Sequence, residues 1–166
     1  SLSDTSGFVV DILDHDGGTV TFQTGSLAST ASGVRVQNSG AGTVSFDNST
    51  KTLNTGTSAA VTLSSNGGST INFGNGGLDI DTTTVTAFSA TGGGTVNVTG
   101  ANNTIDTTTG RPVDIQNTNA GGSGITFARA ISTGGGQVAN IVTSTGTKTL
   151  GRVSTSSGAT TALNLN

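Results

Sequence analysis

Cysteine, methionine, tryptophan and tyrosine are all missing from this 166-residue chain, and proline occurs once. Without cysteine there is no disulfide framework, thiolate metal site or c-type haem attachment. No apolar run approaches the roughly 18 residues that would cross a membrane as a helix, so no membrane insertion is expected. Glutamate is missing too: all nine acids are aspartates, set against six lysines and arginines. An amphipathic helix with a charged face cannot be assembled from such a set. Net charge is −3 and phenylalanine, six copies, is the only aromatic. That excludes the basic footprint and the stacking platforms of a nucleic-acid binder. His15 is the single histidine, so a histidine pair or zinc cluster is excluded as well. The opening Ser1-Leu2-Ser3-Asp4 has neither the charged nor the apolar region of a signal peptide, and no initiator methionine. It reads as a segment of a longer precursor.

What remains is threonine, glycine, serine and asparagine, together 94 of the 166 residues. Such a composition can mean disorder, but the apolar residues are not scattered. Period-2 pairs recur: Val10/Ile12, Val34/Val36, Val61/Leu63, Phe88/Ala90, Val113/Ile115, Ala139/Ile141 and Leu163/Leu165, stepping by 24, 27, 27, 25, 26 and 24 residues. A second row is Val20/Phe22, Val44/Phe46, Ile71/Phe73, Val96/Val98, Ile125/Phe127 and a degraded Lys148/Leu150. A third is Leu27, Leu53, Ile80, Ile105, Ile131 and Val153. Strict alternation indicates strands with one buried face. Gly- and Asn-rich corners, such as Asn66-Gly67-Gly68 and Gly92-Gly93-Gly94, separate the rows.

One period shared by three rows, near 25–26 residues, predicts an all-β, right-handed parallel β-helix (a β-solenoid). It would have three short strands per coil and about six and a half coils over residues 1–166 as a single domain. Coils stacked at about 4.8 Å would give a rod of about 29 Å. Phe22, Phe46, Phe73 and Phe127 fall in one slot and are expected to form an interior column. Lys148 breaks that row, so a register shift, or a side chain reaching out at the rim, is expected there.

Outward positions are the candidate sites. Thr21, Ser45, Asn72, Asn97, Thr126 and Thr149 form an uncharged column: a solvated face, or a docking surface for a glycan, another chain or ice. Asn72 over Asn97 is expected to form an amide ladder. Asp11, Asp14, His15 and Asp16 cluster near one turn, where aspartate is ordinary; a calcium ion is the alternative. Asp79, Asp81 and Asp106 form a second cluster, with Asp81 and Asp106 at matching positions on adjacent coils. They read as solvated carboxylates, a general acid/base pair or a calcium site. No cofactor is otherwise implied, and no catalytic motif occurs.

Runs such as Gly92-Gly93-Gly94-Thr95-Val96-Asn97-Val98-Thr99-Gly100 and Asn103-Thr104-Ile105-Asp106-Thr107-Thr108-Thr109-Gly110 carry a likeness, as does Val113-Asp114-Ile115-Gln116-Asn117-Thr118. The chain resembles the β-helical repeat region of large, repetitive, secreted bacterial surface proteins of the adhesin and autotransporter-passenger kind. The resemblance implies an extracellular, cell-surface location and a structural, non-catalytic role in a stalk, adhesin or filament. Separately, no capping helix is expected at either end, and open sheet edges predict as partners adjoining solenoid repeats of the same polypeptide or copies stacked end to end. A carbohydrate-binding module or a polysaccharide-degrading enzyme of the β-helix type is the alternative.

Overall fold

A computed structural model describes residues 1–156, 158 and 161–166. Every regular element is a strand. The first coils contain β1 (Leu2–Asp4), β2 (Phe8–Leu13), β3 (Asp16–Phe22), β4 (Ser26–Ser29), β5 (Ser32–Gln37) and β6 (Ala41–Phe46). The middle is β7 (Thr50–Gly56), β8 (Val61–Ser64), β9 (Thr70–Phe73), β10 (Leu78–Thr82), β11 (Phe88–Thr91) and β12 (Thr95–Val98). The last coils hold β13 (Thr104–Thr107), β14 (Val113–Gln116), β15 (Asn119–Ser132), β16 (Ala139–Val142), β17 (Lys148–Thr155) and β18 (Leu163–Leu165).

Each strand pairs in parallel with the strand one coil away, so the chain is a parallel β-solenoid of about six turns. One column runs β2-β5-β8-β11-β14-β16-β18, with the pairs Val10/Ile12 to Leu163/Leu165 in register from coil to coil. The other two columns join into one sheet, because β15 runs round a corner and pairs with β12 through one half and β13 through the other. Alternate side chains bury themselves in the tube: Val34, Val36, Val44, Leu53, Ile71, Ile80 and Ile105 are all within 1% of complete burial. Each coil covers its own apolar face only through its neighbours, which ties the coils into one cooperative stack.

Corners are made by conformation rather than by loops. The first strand of each coil ends on a left-handed residue: Asp14 (φ 55°), Asn38 (56°), Ser65 (58°), Gly92 (80°), Asn117 (50°) and Thr143 (50°). Asparagine, aspartate and glycine reach that region at low cost; serine and threonine pay more. Each of these amides donates to a carbonyl of the next coil, as Asn38 N does to Ser64 O (3.0 Å) and Ser65 N to Thr91 O (2.9 Å). The corner residues therefore form a ladder of their own. Close approach demands glycine elsewhere: a Cβ on Gly33 would lie 1.9 Å from the Ala60 carbonyl oxygen.

Three sequence expectations are corrected. In the third row Leu27 lies opposite Lys51, not Leu53, whose neighbour in the preceding coil is Ser29. Ala130, not Ile131, sits beside Ile105; Ile131 stands beside Asp106 on the outward side. In the second row Val98 pairs with Ile125, so Phe127 falls two residues past the slot of Phe22, Phe46 and Phe73. Extra residues after Ala120 cause the offset, because Val96 to Val98 spans less chain than Ala120 to Ile125. Of the two outcomes expected for Lys148 there is no slip, since it stays opposite Ile125, and its Nζ instead reaches the exposed Thr145 carbonyl.

Phe22, Phe46 and Phe73 stack, with centroids 5.1 and 4.9 Å apart and interplanar angles of 1° and 16°. Phe127 joins them through Phe88 of the first column, with edge-on contacts of 5.9 and 5.3 Å.

The interior also holds charge. Lys51 is fully buried, between Leu27 and Leu78. Its Nζ donates to the carbonyls of Asn48 (2.5 Å), Gly74 (2.8 Å) and Gly76 (2.8 Å), which accounts for all three of its donors. Burial pushes its pKa down to about 8, and Asp47 pulls the other way.

Candidate functional site

Among the described residues no pocket opens into the tube, so any chemistry lies on outward columns. The densest charge is on the third column, where alternation turns Asp79 and Asp81 outward from β10 and Asp106 outward from β13. Asp81 registers directly with Asp106, and Asp79 with Thr104. The Thr104 hydroxyl donates to Asp79 Oδ1 (2.5 Å). Asp106 is ion-paired with Arg129 from the next coil. Among the described residues Asp81 has neither kind of partner. Loss of surrounding water, then Asp79 and Asp106, push its carboxyl above the usual range; Arg129 opposes them. The result is one polarised carboxyl beside one paired carboxylate, an arrangement suited to proton transfer at an exposed face.

The Asp11–His15 cluster is dispersed by its own hydrogen bonds. Asp11 takes a two-point contact from Arg35, Nε to Oδ1 (2.8 Å) and Nη2 to Oδ2 (2.6 Å). That guanidinium holds Asp11 below the ordinary carboxylate range and also covers the Phe8 ring at 4.3 Å. Asp16 Oδ1 accepts the Gly40 amide (3.0 Å). Asp14 makes the left-handed corner. Among the described residues no three carboxylates or imidazoles converge on a cation position.

The uncharged column behaves as a ladder over part of its length. Asn97 Nδ2 donates to Asn72 Oδ1 (2.8 Å), and Asn72 Nδ2 to the Ser45 hydroxyl (3.0 Å). Ser45 is itself buried. Thr21 registers with Ser45 and Thr126 with Thr149. Thr126 does not stand over Asn97, though: Gly121 does, with a Cβ there only 2.3 Å from Asn97 Oδ1. The offset that moves Phe127 splits this column into two short pieces. A flat six-residue face is thus not formed.

No family model, curated protein or solved structure matches this chain. Function must be argued from the side chains alone. The outward residues of the first column, aligned in the sequence between the inward pairs, also form a ladder: Asn164 donates to Asn140 (2.7 Å) and Asn140 to Asp114 (2.7 Å), which Gln116 and Arg111 also contact. Its only sequence signal is recurrence of polar residues between the inward pairs. Among the described residues no helix is long and apolar enough to cross a membrane.

Proposed function

We propose that the chain is a structural, non-catalytic segment of an extracellular β-solenoid, part of a surface adhesin or fibre. The observation that carries this reading is the direction in which outward polar groups are spent. Arg35 on Asp11, Asn72 on Ser45, Asn97 on Asn72, Thr104 on Asp79, Arg129 on Asp106 and Asn140 on Asp114 all bond along the axis, coil to coil. Groups held by a neighbouring coil stiffen a rod and offer little to a ligand. The likeness of its Gly/Thr/Asn runs to repetitive secreted bacterial proteins supports the same reading. Electron microscopy and fibre diffraction of native material from the producing cell test it. Surface-labelled rods with a meridional spacing of about 4.8 Å are expected; compact soluble particles inside the cell would overturn it.

One observation favours a second reading, a polysaccharide-acting face: the raised carboxyl of Asp81 beside Asp106. Loss of turnover of a uronate polymer in Asp81→Asn would promote it. The same variant has an expected effect on stability. A folded-state pKa above the unfolded value stabilises the fold fully only below the unfolded pKa, and the benefit is lost as pH rises through the folded value. Asp81→Asn should therefore be slightly more stable than the parent at pH 7, by under about 1 kcal/mol because the site is exposed. The gap should close as pH falls below the carboxylate range. Urea titrations at pH 3 and pH 7 check the sign.

A further inference from the structure

Interior side chains collect main-chain carbonyls along the corner between the second and third columns. Asn48 Nδ2 donates to Thr24 O (2.8 Å) of the preceding coil. Two coils after Asn48, Asn103 Nδ2 spreads over Thr99, Gly100 and Thr126, each at 3.2 Å. Between them in sequence, Lys51 Nζ meets Asn48, Gly74 and Gly76 at 2.5, 2.8 and 2.8 Å. The Asn103 amide has two hydrogens for three long contacts; the ammonium has three for three short ones.

The carbonyls around Lys51 belong to residues that the ladder holds from both sides. Gly74 N donates to Phe46 O (3.0 Å) in the coil before, and Gly76 N to Thr99 O (2.9 Å) in the coil after. Gly76 is left-handed (φ 68°), and a Cβ there would lie 2.1 Å from the Ala101 carbonyl oxygen. The backbone, not the ammonium, therefore sets where these carbonyls point. Acceptors also outnumber donors at this corner: Asn48 Oδ1 is buried and, among the described residues, takes no hydrogen bond. Asp47, its neighbour in the chain, adds negative charge that favours the protonated amine.

We propose that the corner formed by Asn48, Gly74 and Gly76 is a binding site for a monovalent cation, ammonium or potassium, and that Lys51 is its covalently attached occupant. Converging backbone carbonyls replace the hydration shell of such ions. Calcium and magnesium take carboxylate ligands and more oxygens, and among the described residues no carboxylate forms an ion pair with Nζ. The ligands come from two coils, so the occupant also ties β7 to the corner that leads into β10. This holds whether or not the solenoid is an extracellular stalk.

Two variants empty the site to different extents. Lys51→Met ends one heavy atom short of Nζ and vacates only the position between the carbonyls; Lys51→Ala vacates the stem as well. Thermal melts followed by far-UV circular dichroism at pH 7 compare choline, potassium, ammonium and propylammonium chlorides, each at about 0.2 M so that screening is equal. Lys51→Met should melt about 2–4 °C higher in ammonium or potassium than in choline, the response of a chain this long to a roughly fivefold change in the folding equilibrium. Propylammonium should leave Lys51→Met unchanged and raise Lys51→Ala. The parent, its site filled, should melt alike in all of these salts, and NMR of the isotope-labelled parent should show a slowly exchanging Lys51 ammonium. If a variant is unfolded in choline, recovery of its strand signal on adding ammonium is the same readout. Variants indifferent to the cation, an unfolded variant that no cation restores, a parent that responds as the variants do, or a rapidly exchanging Lys51 ammonium would overturn the proposal.

Discussion

Lys51→Met is expected to destabilise the solenoid by about 3–5 kcal/mol, although it exchanges a buried charge for an apolar side chain of similar length. Two effects compete. The ammonium loses its hydration inside the tube, which is why its pKa sits near 8 and why removing it offers some relief. Against this, the carbonyls of Asn48, Gly74 and Gly76 stay where the backbone ladder fixes them. Methionine donates nothing, so three buried acceptors lose their partner at about 1–3 kcal/mol each. The second effect wins because the acceptors belong to two coils that cannot move apart without breaking β7–β10 pairing. The pH dependence gives an independent check. A lysine with a depressed folded pKa contributes stability that is present above its unfolded value, near 10.5, and is lost as pH falls through about 8. The parent should therefore gain stability between about pH 8 and 10.5, and Lys51→Met should lack that rise. Urea denaturation followed by far-UV circular dichroism at pH 7 and pH 10 measures both. A variant as stable as the parent at pH 7 would contradict the account.

Phe46→Ala should cost a similar amount, about 3–5 kcal/mol. Phe46 is fully buried and lies between Phe22 and Phe73, so truncation removes two stacking contacts and opens a cavity with no loop nearby to fill it. Coils held by parallel ladders on either side relax little. Phe22→Ala should cost less than half as much, because that ring is only partly covered and stacks on one neighbour. The contrast tests the nearest-neighbour energetics expected of a solenoid. Equal losses at the two positions would mean that the end coil is as tightly bound as the middle. With no tryptophan or tyrosine in the chain, circular dichroism or hydrogen exchange must serve as the probe.

The period and the whole first column, from Val10/Ile12 to Leu163/Leu165, are legible in the residue pattern, as is Asp81 beside Asp106. Alternate burial leaves a period-2 signature that a single chain displays openly. It also displayed the Asn72–Asn97 ladder. The rest depends on how the coils pack against one another. Leu27 and Ile131 look like members of the Leu53 row, but Leu27 falls two residues before that slot and stays inward, while Ile131 falls one residue past it, a step that turns a side chain to the other face; only packing between coils chooses the step. Phe127 and Thr126 were displaced by extra residues after Ala120 that a list of apolar pairs does not register. Buried hydroxyls at Ser29, Thr55, Thr82, Thr107 and Ser132 leave no such signature, because a polar residue in a period-2 pattern marks the outward face. Four of these hydroxyls donate to the carbonyl three residues on, as Thr55 does to Ser58 (2.6 Å), and the Ser132 hydroxyl accepts the Gly136 amide. Lys51 was hidden for the same reason. Whether a polar group can be buried depends on the corner carbonyls facing it, and those belong to segments some 25 residues away. Apolar burial is written in local pattern; hydrogen-bond satisfaction is settled only when the coils meet.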